Sequence, residues 1–388
     1  MATFLDELLL GGKANAKGPG VLRQAIAQES GRTRESHYAF LEGESEPDEV
    51  PAKASQALKQ AKVKAKPSQV FRALNGFSVD LTGQEAEQLR RVPTVQSVEL
   101  DQPLPLTPPV NARPAEQLSS FDVVPVADSD GLEVRLDDVI TGEVFSPSDL
   151  TFELQDQAEL VALPVYNNGT ASTGEVLPYG VQAVWDGQDV SKQGNVGTGT
   201  YAFVIDSGVL DTTGDLLVNK AWSKSWISGE SAFTDDNGHG THVAGSIAAL
   251  ANGVGVVGVA PGAEVISLKV FDSSGGGASY STIISAINHA VDIINTNGLD
   301  KSKTVINMSL GGGYSYGLDT AVKNAADQGI QFAIAAGNSG DDADYYSPAA
   351  AGDHSNVYTV SAVDNQYRMS SWSNWDDSSG GDDVDVAA

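Results

Sequence analysis

Asp235-Asp236-Asn237-Gly238-His239-Gly240-Thr241-His242 sets a histidine between two glycines, and an apolar run at helical spacing (Val243, Ala244, Ile247, Ala248) follows at once. The pattern predicts a loop whose backbone comes close to something, then a helix with His239 at its entrance, near the positive end of the helix dipole. Alone, a histidine in that place is an ordinary structural residue. With a carboxylate to orient it, the same imidazole can move protons near neutral pH. Tyr201-Ala202-Phe203-Val204-Ile205 reads as a buried strand and ends in Asp206-Ser207-Gly208. That places a carboxylate at the carboxyl end of a strand, where open α/β sheets carry their functional crevice. A second apolar run, 330–336, leads into Gly337-Asn338-Ser339-Gly340. An asparagine on such a turn can aim its amide N–H at a developing oxyanion.

These residues need a frame to hold them. From about Glu175 the apolar runs alternate between strand and helix periods: strands over 201–206, 264–271, 304–308 and 330–336, and helices from His239, over 279–297 and over 317–329. Ile283, Ile287, Ala290, Val291 and Ile294 share one helical face. Alternation of this kind predicts an α/β fold, a parallel sheet with helices on both faces. A nucleotide-binding domain would alternate in the same way. No G-x-G-x-x-G follows the first strand, however, and Asp206 puts a carboxylate where a phosphate would sit.

VIDSGV, GHGTHVAG, NMSLGG and AAGNSG, in this order and spacing, resemble the subtilisin-like serine endopeptidases, and DADYYSPAA is most similar to the proteinase K branch. The resemblance implies a three-layer subtilisin-like domain over 175–388. It makes Asp206 the triad acid, His239 the general base and Asn338 the side-chain oxyanion donor. It implies polypeptide substrates, and backbone at Gly276, Gly277, Ala278, Ser309, Leu310 and Gly311 that pairs with an extended peptide. Ala335, Ala336 and Gly337 match one wall of the pocket for the residue before the scissile bond. Main-chain pairing reads no side chain, so broad specificity is expected. The nucleophilic serine of the family, in a G-T-S-M-A type motif, is not among the 388 residues. Val384-Asp385-Val386-Ala387-Ala388 resembles the strand that precedes that motif in the family. The chain is therefore expected to be C-terminally incomplete as a subtilase domain, part of a longer gene product, and to lack useful peptidase activity as written.

Leu250-Ala251-Asn252-Gly253-Val254-Gly255-Val256 resembles the family's calcium loop. By that resemblance the carbonyls of Leu250, Val254 and Val256, the amide oxygen of Asn252, and the carboxylates of Asp215 and Glu175 hold a structural Ca2+, which takes hard oxygen ligands. The family usually carries a neutral amide where Glu175 stands. His242, Ser207, His37, His289 and His354 have no evident catalytic partner and are expected to be structural.

Residues 1–34 read as an N-terminal tail and 35–106 as a small α+β domain. Val70-Phe71-Arg72-Ala73-Leu74 and Phe77-Ser78-Val79-Asp80-Leu81 flank Asn75-Gly76, Thr82 and Glu85 form a capping-box pattern, and 93–100 reads as a strand. LNGFSVDLTGQEAEQLRRVPTVQSVELD resembles the inhibitory propeptide of the same family, a ferredoxin-like domain whose tail lies in the active-site cleft. A second hypothesis follows: a non-catalytic protein that uses this domain to bind another protease. Residues 107–174 hold only Arg113 and Arg135 against twelve acidic residues. With alternating segments at 132–136 and 150–154, they read as an acidic linker or β-rich insertion.

Charge follows these divisions. The formal net charge is −28; residues 1–106 carry 13 Lys/Arg and 14 Asp/Glu, and the remainder carries 10 and 37. The acidic part repels nucleic acid and anionic membrane and suits cations. Without cysteine there is no disulfide framework and no thiolate chemistry. No apolar run approaches a membrane span. Asp6 and Glu7 interrupt the N-terminal apolar stretch, which makes a poor secretory signal. An extracellular monomer is the expectation from the resemblance.

Overall fold

The computed structural model describes residues 33–106, 126–128, 131–133, 165–194, 196–376 and 384–388. Most of the expected tail, and most of 107–174 with its expected strand at 150–154, lie outside the described residues.

Residues 35–100 run β1 (Glu35–Leu41), α1 (Val50–Gln60), β2 (Gln69–Phe71), β3 (Gly76–Leu81), α2 (Gly83–Arg90) and β4 (Val95–Leu100). The strands form an antiparallel sheet in the order β2-β3-β1-β4. This is the ferredoxin-like arrangement of two split βαβ units. The strand expected over 70–74 stops at Phe71: residues Arg72–Leu74 close one 3-10 turn and Asn75 takes φ 57°, a left-handed conformation that asparagine tolerates. Thr82 caps α2, accepting from the Glu85 amide while Glu85 accepts from the Thr82 amide. Strand β1 is buried on both faces, so Tyr38-Ala39-Phe40-Leu41 does not alternate in polarity. Ala39 and Leu41 pack with Val50, Ala54 and Leu58 of α1 and Leu89 of α2. Tyr38 and Phe40 join the core of the larger domain instead.

Residues 109–165 are a unit apart. Its described elements are a hairpin, β5 (Val126–Asp128) paired with β6 (Gly131–Glu133), at the start of the strand expected over 132–136.

Residues from Tyr166 onward cluster in one compact unit with those up to Pro108; the larger domain opens with β7 (Gly169–Thr170) paired with β8 (Val176–Leu177). After these come α3 (Tyr179–Val184), β9 (Tyr201–Asp206), β10 (Leu217–Val218), β11 (Lys224–Ser225), α4 (His239–Ala248), β12 (Glu264–Lys269) and α5 (Tyr280–Thr296). Then follow β13 (Thr304–Met308), β14 (Gly312–Gly313), α6 (Tyr316–Ala326), β15 (Gln331–Ala335), β16 (Tyr346–Ser347), β17 (Val357–Ser361) and β18 (Val386–Ala387). The main sheet has eight strands in the order β10-β12-β9-β13-β15-β17-β18, with β11 also on β12, and all pairings are parallel.

Successive residues of a strand face opposite ways, and here both faces are covered. Phe203, Ile205, Ile266, Ile306 and Phe332 pack with Ile283, Ile287 and Val291 of α5 and with Leu318 and Val322 of α6. Val204 and Val265 pack on the other face with Val243, Ala244, Ile247 and Ala248 of α4. The expected three layers are therefore present. Parallel pairing also lines the carboxyl ends of the strands along one edge. Val204 is level with Asn307, and Asn307 with Ala333, so Asp206, Ser309 and Ala335 share a row at that edge. Among the described residues no helix is long and apolar enough to cross a membrane.

Candidate active site

The last residue of β9, Asp206, is fully buried, and α4 opens with His239 directly after Gly238, whose φ is 89°. The His239 Nδ1 lies 2.8 Å from Asp206 Oδ1 and 2.9 Å from Oδ2. A carboxylate only accepts, so Nδ1 carries the proton and Nε2 keeps its lone pair. The Ser207 amide donates to the same Oδ1 at 2.6 Å. The glycine after the histidine permits this approach: a Cβ on Gly240 would lie 3.1 Å from Asp206 Oδ1 and collide with the Gly208 carbonyl oxygen. His239 is shifted toward its protonated form. The Asp206 hydrogen bond is the main cause, burial opposes it, and the charges of Asp206 and Asp235 add.

The pair is held from below by Asp235. Its Oδ1 accepts from the Ser207 hydroxyl at 2.8 Å and the Gly238 amide at 2.9 Å; its Oδ2 accepts from the Thr241 amide at 2.8 Å and the Thr241 hydroxyl at 2.6 Å. One buried carboxylate thus ties Ser207, next to Asp206, to Gly238 and Thr241, which bracket His239. These bonds hold its pKa below the ordinary value despite burial. Ser207 closes the link by accepting from the Gly240 amide at 2.9 Å. Lys269, 1% exposed at the end of β12, donates to the Ser207 carbonyl and pairs with Glu230 at 3.2 Å.

Asn338 follows β15 two strands along the same edge, roughly 10 Å from β9 at ordinary strand spacing. The turn that carries it is pinned by buried Asn374. The Asn374 amide nitrogen donates to the Ala336 carbonyl at 3.0 Å, its side-chain oxygen accepts from the Ser339 amide at 2.8 Å, and its backbone amide donates to the Gly337 carbonyl at 3.0 Å. Gly337, at φ 116°, leaves the space that Asn374 fills. Ala335 and Ala336 end the strand, with the Ala336 amide donating to the Val360 carbonyl at 3.0 Å. Beyond Asn338, the carboxylates of Asp342, Asp344 and Asp376 offer oxygens within 4.8 Å of one another.

Residues 101–106 run along the strand-like segment 275–280. The Leu104 amide donates to the Ala278 carbonyl at 3.0 Å, the Leu106 amide to the Gly275 carbonyl at 2.7 Å, and the Tyr280 amide to the Gln102 carbonyl at 3.1 Å. Leu104 and Leu106 are buried, Leu104 against Gly312, where a Cβ would come within 3.1 Å of its Cγ. The paired backbone is thus that of Gly275, Ala278 and Tyr280. Gly276 and Gly277 form the bend between them, where Asp272 accepts from the Gly276 amide and donates its own to the Gly276 carbonyl. Asn307 donates to the Ser309 hydroxyl at 3.0 Å, while Leu310 is buried and Gly311 lies next to the Ser347 carbonyl.

The rest of 35–106 covers α5 and α6. Phe40, Phe71 and Leu74 bury against them, each apolar side chain contributing ~1.5–3 kcal/mol. Asp101 accepts from the Ser281 amide and hydroxyl at 2.9 and 2.6 Å at the start of α5, and Glu99 accepts from Ser315, the cap of α6, at 3.1 Å. Both acidic residues thus lie at the positive ends of helix dipoles.

Comparison with known proteins agrees with this geometry. The Subtilase family model matches residues 197–388, and the Peptidase inhibitor I9 model matches residues 22–107. Subtilisin DY of Bacillus licheniformis is 42% identical over 200 residues, which are 51% of this chain and 69% of that protein. The chain belongs to the subtilase family. The alkaline proteinase of Hapsidospora chrysogena is 36% identical to this subtilase over 58% of this chain and 52% of its own length. A cold adapted subtilisin-like serine proteinase of known structure is 34% identical, covering 50% of this chain and 64% of its own, with TM-score 0.41. The subtilase thus spans about half to two thirds of the length of these relatives. The Peptidase inhibitor I9 match over residues 22–107 marks its propeptide domain.

Glu175, Asp215 and the loop of residues 250–256 lie against one another. Glu175 is buried; its Oε2 accepts from the Gly253 amide at 2.9 Å, while its Oε1 and Asp215 Oδ1 are buried with no hydrogen-bond partner. Asp215 lies against Gly255, and the Asn252 amide nitrogen donates to the Gly214 carbonyl at 3.4 Å. Burial pushes the Asp215 carboxyl up, with Asp211 and Glu175 adding their charges. Two donor-less buried oxygens beside a loop of carbonyls (Leu250, Val254, Val256) fit a hard cation.

Three of the other histidines of the subtilase have structural partners. His289 donates to the Trp222 carbonyl at 3.0 Å, His37 contacts the Glu35 carbonyl at 2.8 Å, His354 pairs with Asp327 at 3.1 Å, and His242 is exposed. Asp235, Lys269 and Asn374 were not read from the sequence as site residues. Their contacts span 28, 62 and 38 residues, and of the three only Asp235 stands in a motif that could have drawn attention.

Proposed function

We propose that residues 166–388 carry the acid, the base and the side-chain oxyanion donor of a serine-type endopeptidase with broad sequence tolerance, and that residues 35–106 assist its folding and inhibit it. The observation that carries this reading is the Asp206–His239 pair at the carboxyl edge of a parallel sheet. In this mechanism His239 Nε2 takes the proton of a serine hydroxyl as that oxygen attacks a peptide carbonyl. Asp206 holds the imidazole by Nδ1 and stabilises the imidazolium that forms. The Asn338 amide donates to the oxyanion, and His239 then gives its proton to the leaving amine. A substrate would pair with the backbone along 275–280 as residues 101–106 do, which selects extended chains rather than particular sequences.

No G-T-S-M-A type motif stands among the 388 residues, so these residues alone are expected to give no turnover. A fluorophosphonate that labels active-site serines tests both parts of the reading. The 388-residue chain should stay unlabelled, and a gene product that also carries such a motif should label in a manner abolished by His239→Ala. Specific labelling of the 388-residue chain, or labelling indifferent to His239, contradicts it.

We also infer that Leu250, Asn252, Val254 and Val256, with Asp215 and Glu175, would hold Ca2+. The donor-less oxygens of Glu175 and Asp215 support this. When bound, the ion supplies charge neutralisation and ties the loop to the strand segments on either side; it takes no part in proton transfer. Polypeptides are the proposed substrates, the setting is extracellular, and the working form is a monomer.

A further inference from the structure

We propose that Asp319 couples docking of the propeptide domain to a proton: the docked state keeps this carboxyl protonated, and its ionisation loosens the domain. Asp319 stands in the first turn of α6, 5% exposed, and its Oδ1 has no hydrogen-bond partner. That turn is where the propeptide domain lands. Glu99 Oε2 accepts from the Tyr38 hydroxyl at 2.8 Å and the Ser315 hydroxyl at 3.1 Å. A Cβ on Gly317 would collide with the Tyr38 ring and lie 3.2 Å from Glu99 Oε1. Docking therefore lays the Tyr38 ring on the turn that carries Asp319 and brings a second carboxylate, Glu99, to it.

The groups that face Asp319 do not offset this. They are Glu99 of β4, Lys323 of α6, Asp353 of the loop before β17, and the phenols of Tyr280 and Tyr314. The single cation among them, Lys323, is already paired with Asp353 at 2.7 Å. Burial raises the Asp319 carboxyl to about 7; the Ser347 hydroxyl and Lys323 oppose the rise, and Glu99 and Asp353 add to it. Undocking takes away Tyr38 and Glu99, which moves the carboxyl back toward the ordinary carboxylate range. A carboxyl whose pKa is higher docked than undocked takes up a proton on docking. Docking then has its full strength below the undocked pKa and loses it as pH rises to the docked value near 7. The propeptide is held tightest in acid and most loosely from neutrality upward. None of this depends on the peptidase reading, only on the docked arrangement.

The test is amide hydrogen exchange in the full 388-residue chain, followed at the Leu104, Leu106 and Tyr280 amides, which bond across the interface, and corrected for intrinsic exchange. Protection there should fall by about tenfold or more between about pH 5 and about pH 8, with the amides of β9 and β12 unaffected. Asp319→Asn, which keeps the size of the neutral acid, should hold protection flat across the range. Glu99→Gln, which leaves Asp319 in place, should shrink the fall. A flat wild-type profile, an equal fall in Asp319→Asn or Glu99→Gln, or a fall shared by β9 and β12 overturns the proposal.

Discussion

Two carboxylate clusters of the larger domain differ in who supplies their partners. At the carboxyl edge of the sheet Asp206 and Asp235 are matched by the protein itself: Asp206 accepts from His239 and the Ser207 amide, and Asp235 accepts four bonds. At the loop of 250–256, Glu175 Oε1 and Asp215 Oδ1 are just as sheltered, yet nothing donates to them. A buried acceptor without a donor is destabilising by about 1–3 kcal/mol, more when charged. The first cluster is complete as folded. The second has two oxygens that the chain itself leaves without a donor, and two carboxylates among carbonyl oxygens are the donor set that the proposed Ca2+ would take.

The contrast can be broken most forcefully at Asp235. Asp235→Ala strips the acceptor from two backbone amides and two hydroxyls and should destabilise the chain by about 3–5 kcal/mol, read by urea unfolding; Asp235→Asn should lie between this and wild type. A loss below about 1 kcal/mol would mean that this edge of the sheet is not organised around that carboxylate. Next comes the loop. Chelation of a protein held at roughly 100 times its Ca2+ dissociation constant should remove about 2.7 kcal/mol, seen as a lower melting temperature, whereas Asp215→Asn should be nearly indifferent to chelator. Equal responses of the two proteins would place the ion elsewhere. The smallest effect belongs to His242→Ala. This neighbour of the base is exposed, and the change should stay within about 0.5 kcal/mol; a large loss would extend the wired cluster beyond His239.

How much of this was legible in the sequence depended on the range of each interaction. His239 at a helix entrance, Asp206 at a strand end and Thr82 at a helix cap are each set within a few residues, and glycines or caps advertise them. The burial of β9 was legible too, because an unbroken apolar run marks a strand covered on both sides. Asn374 was not, since its role is to fill the space beside Gly337, 37 residues away in sequence. That residues 101–106 would bond to Gly275, Ala278 and Tyr280 was not legible, because the two segments lie about 170 residues apart and no local pattern marks the partner. Asp319 sits in a helix start where an acidic residue is ordinary. Part of what faces it, the Glu99 carboxylate, comes from a distant segment.

The account rests on the join between β9 and α4, and a histidine NMR titration of the 388-residue chain tests it most directly. Because the folded pKa of His239 is raised above 6.5, the pair's contribution to stability is full below about pH 6.5 and fades as pH rises through the folded value. The imidazole of His239 should titrate above 6.5 in the wild type and drop clearly in Asp206→Asn, with the signals of His289 and His354 unmoved. A His239 that titrates at or below 6.5, or one that ignores Asp206→Asn, would contradict an acid and base joined at this edge.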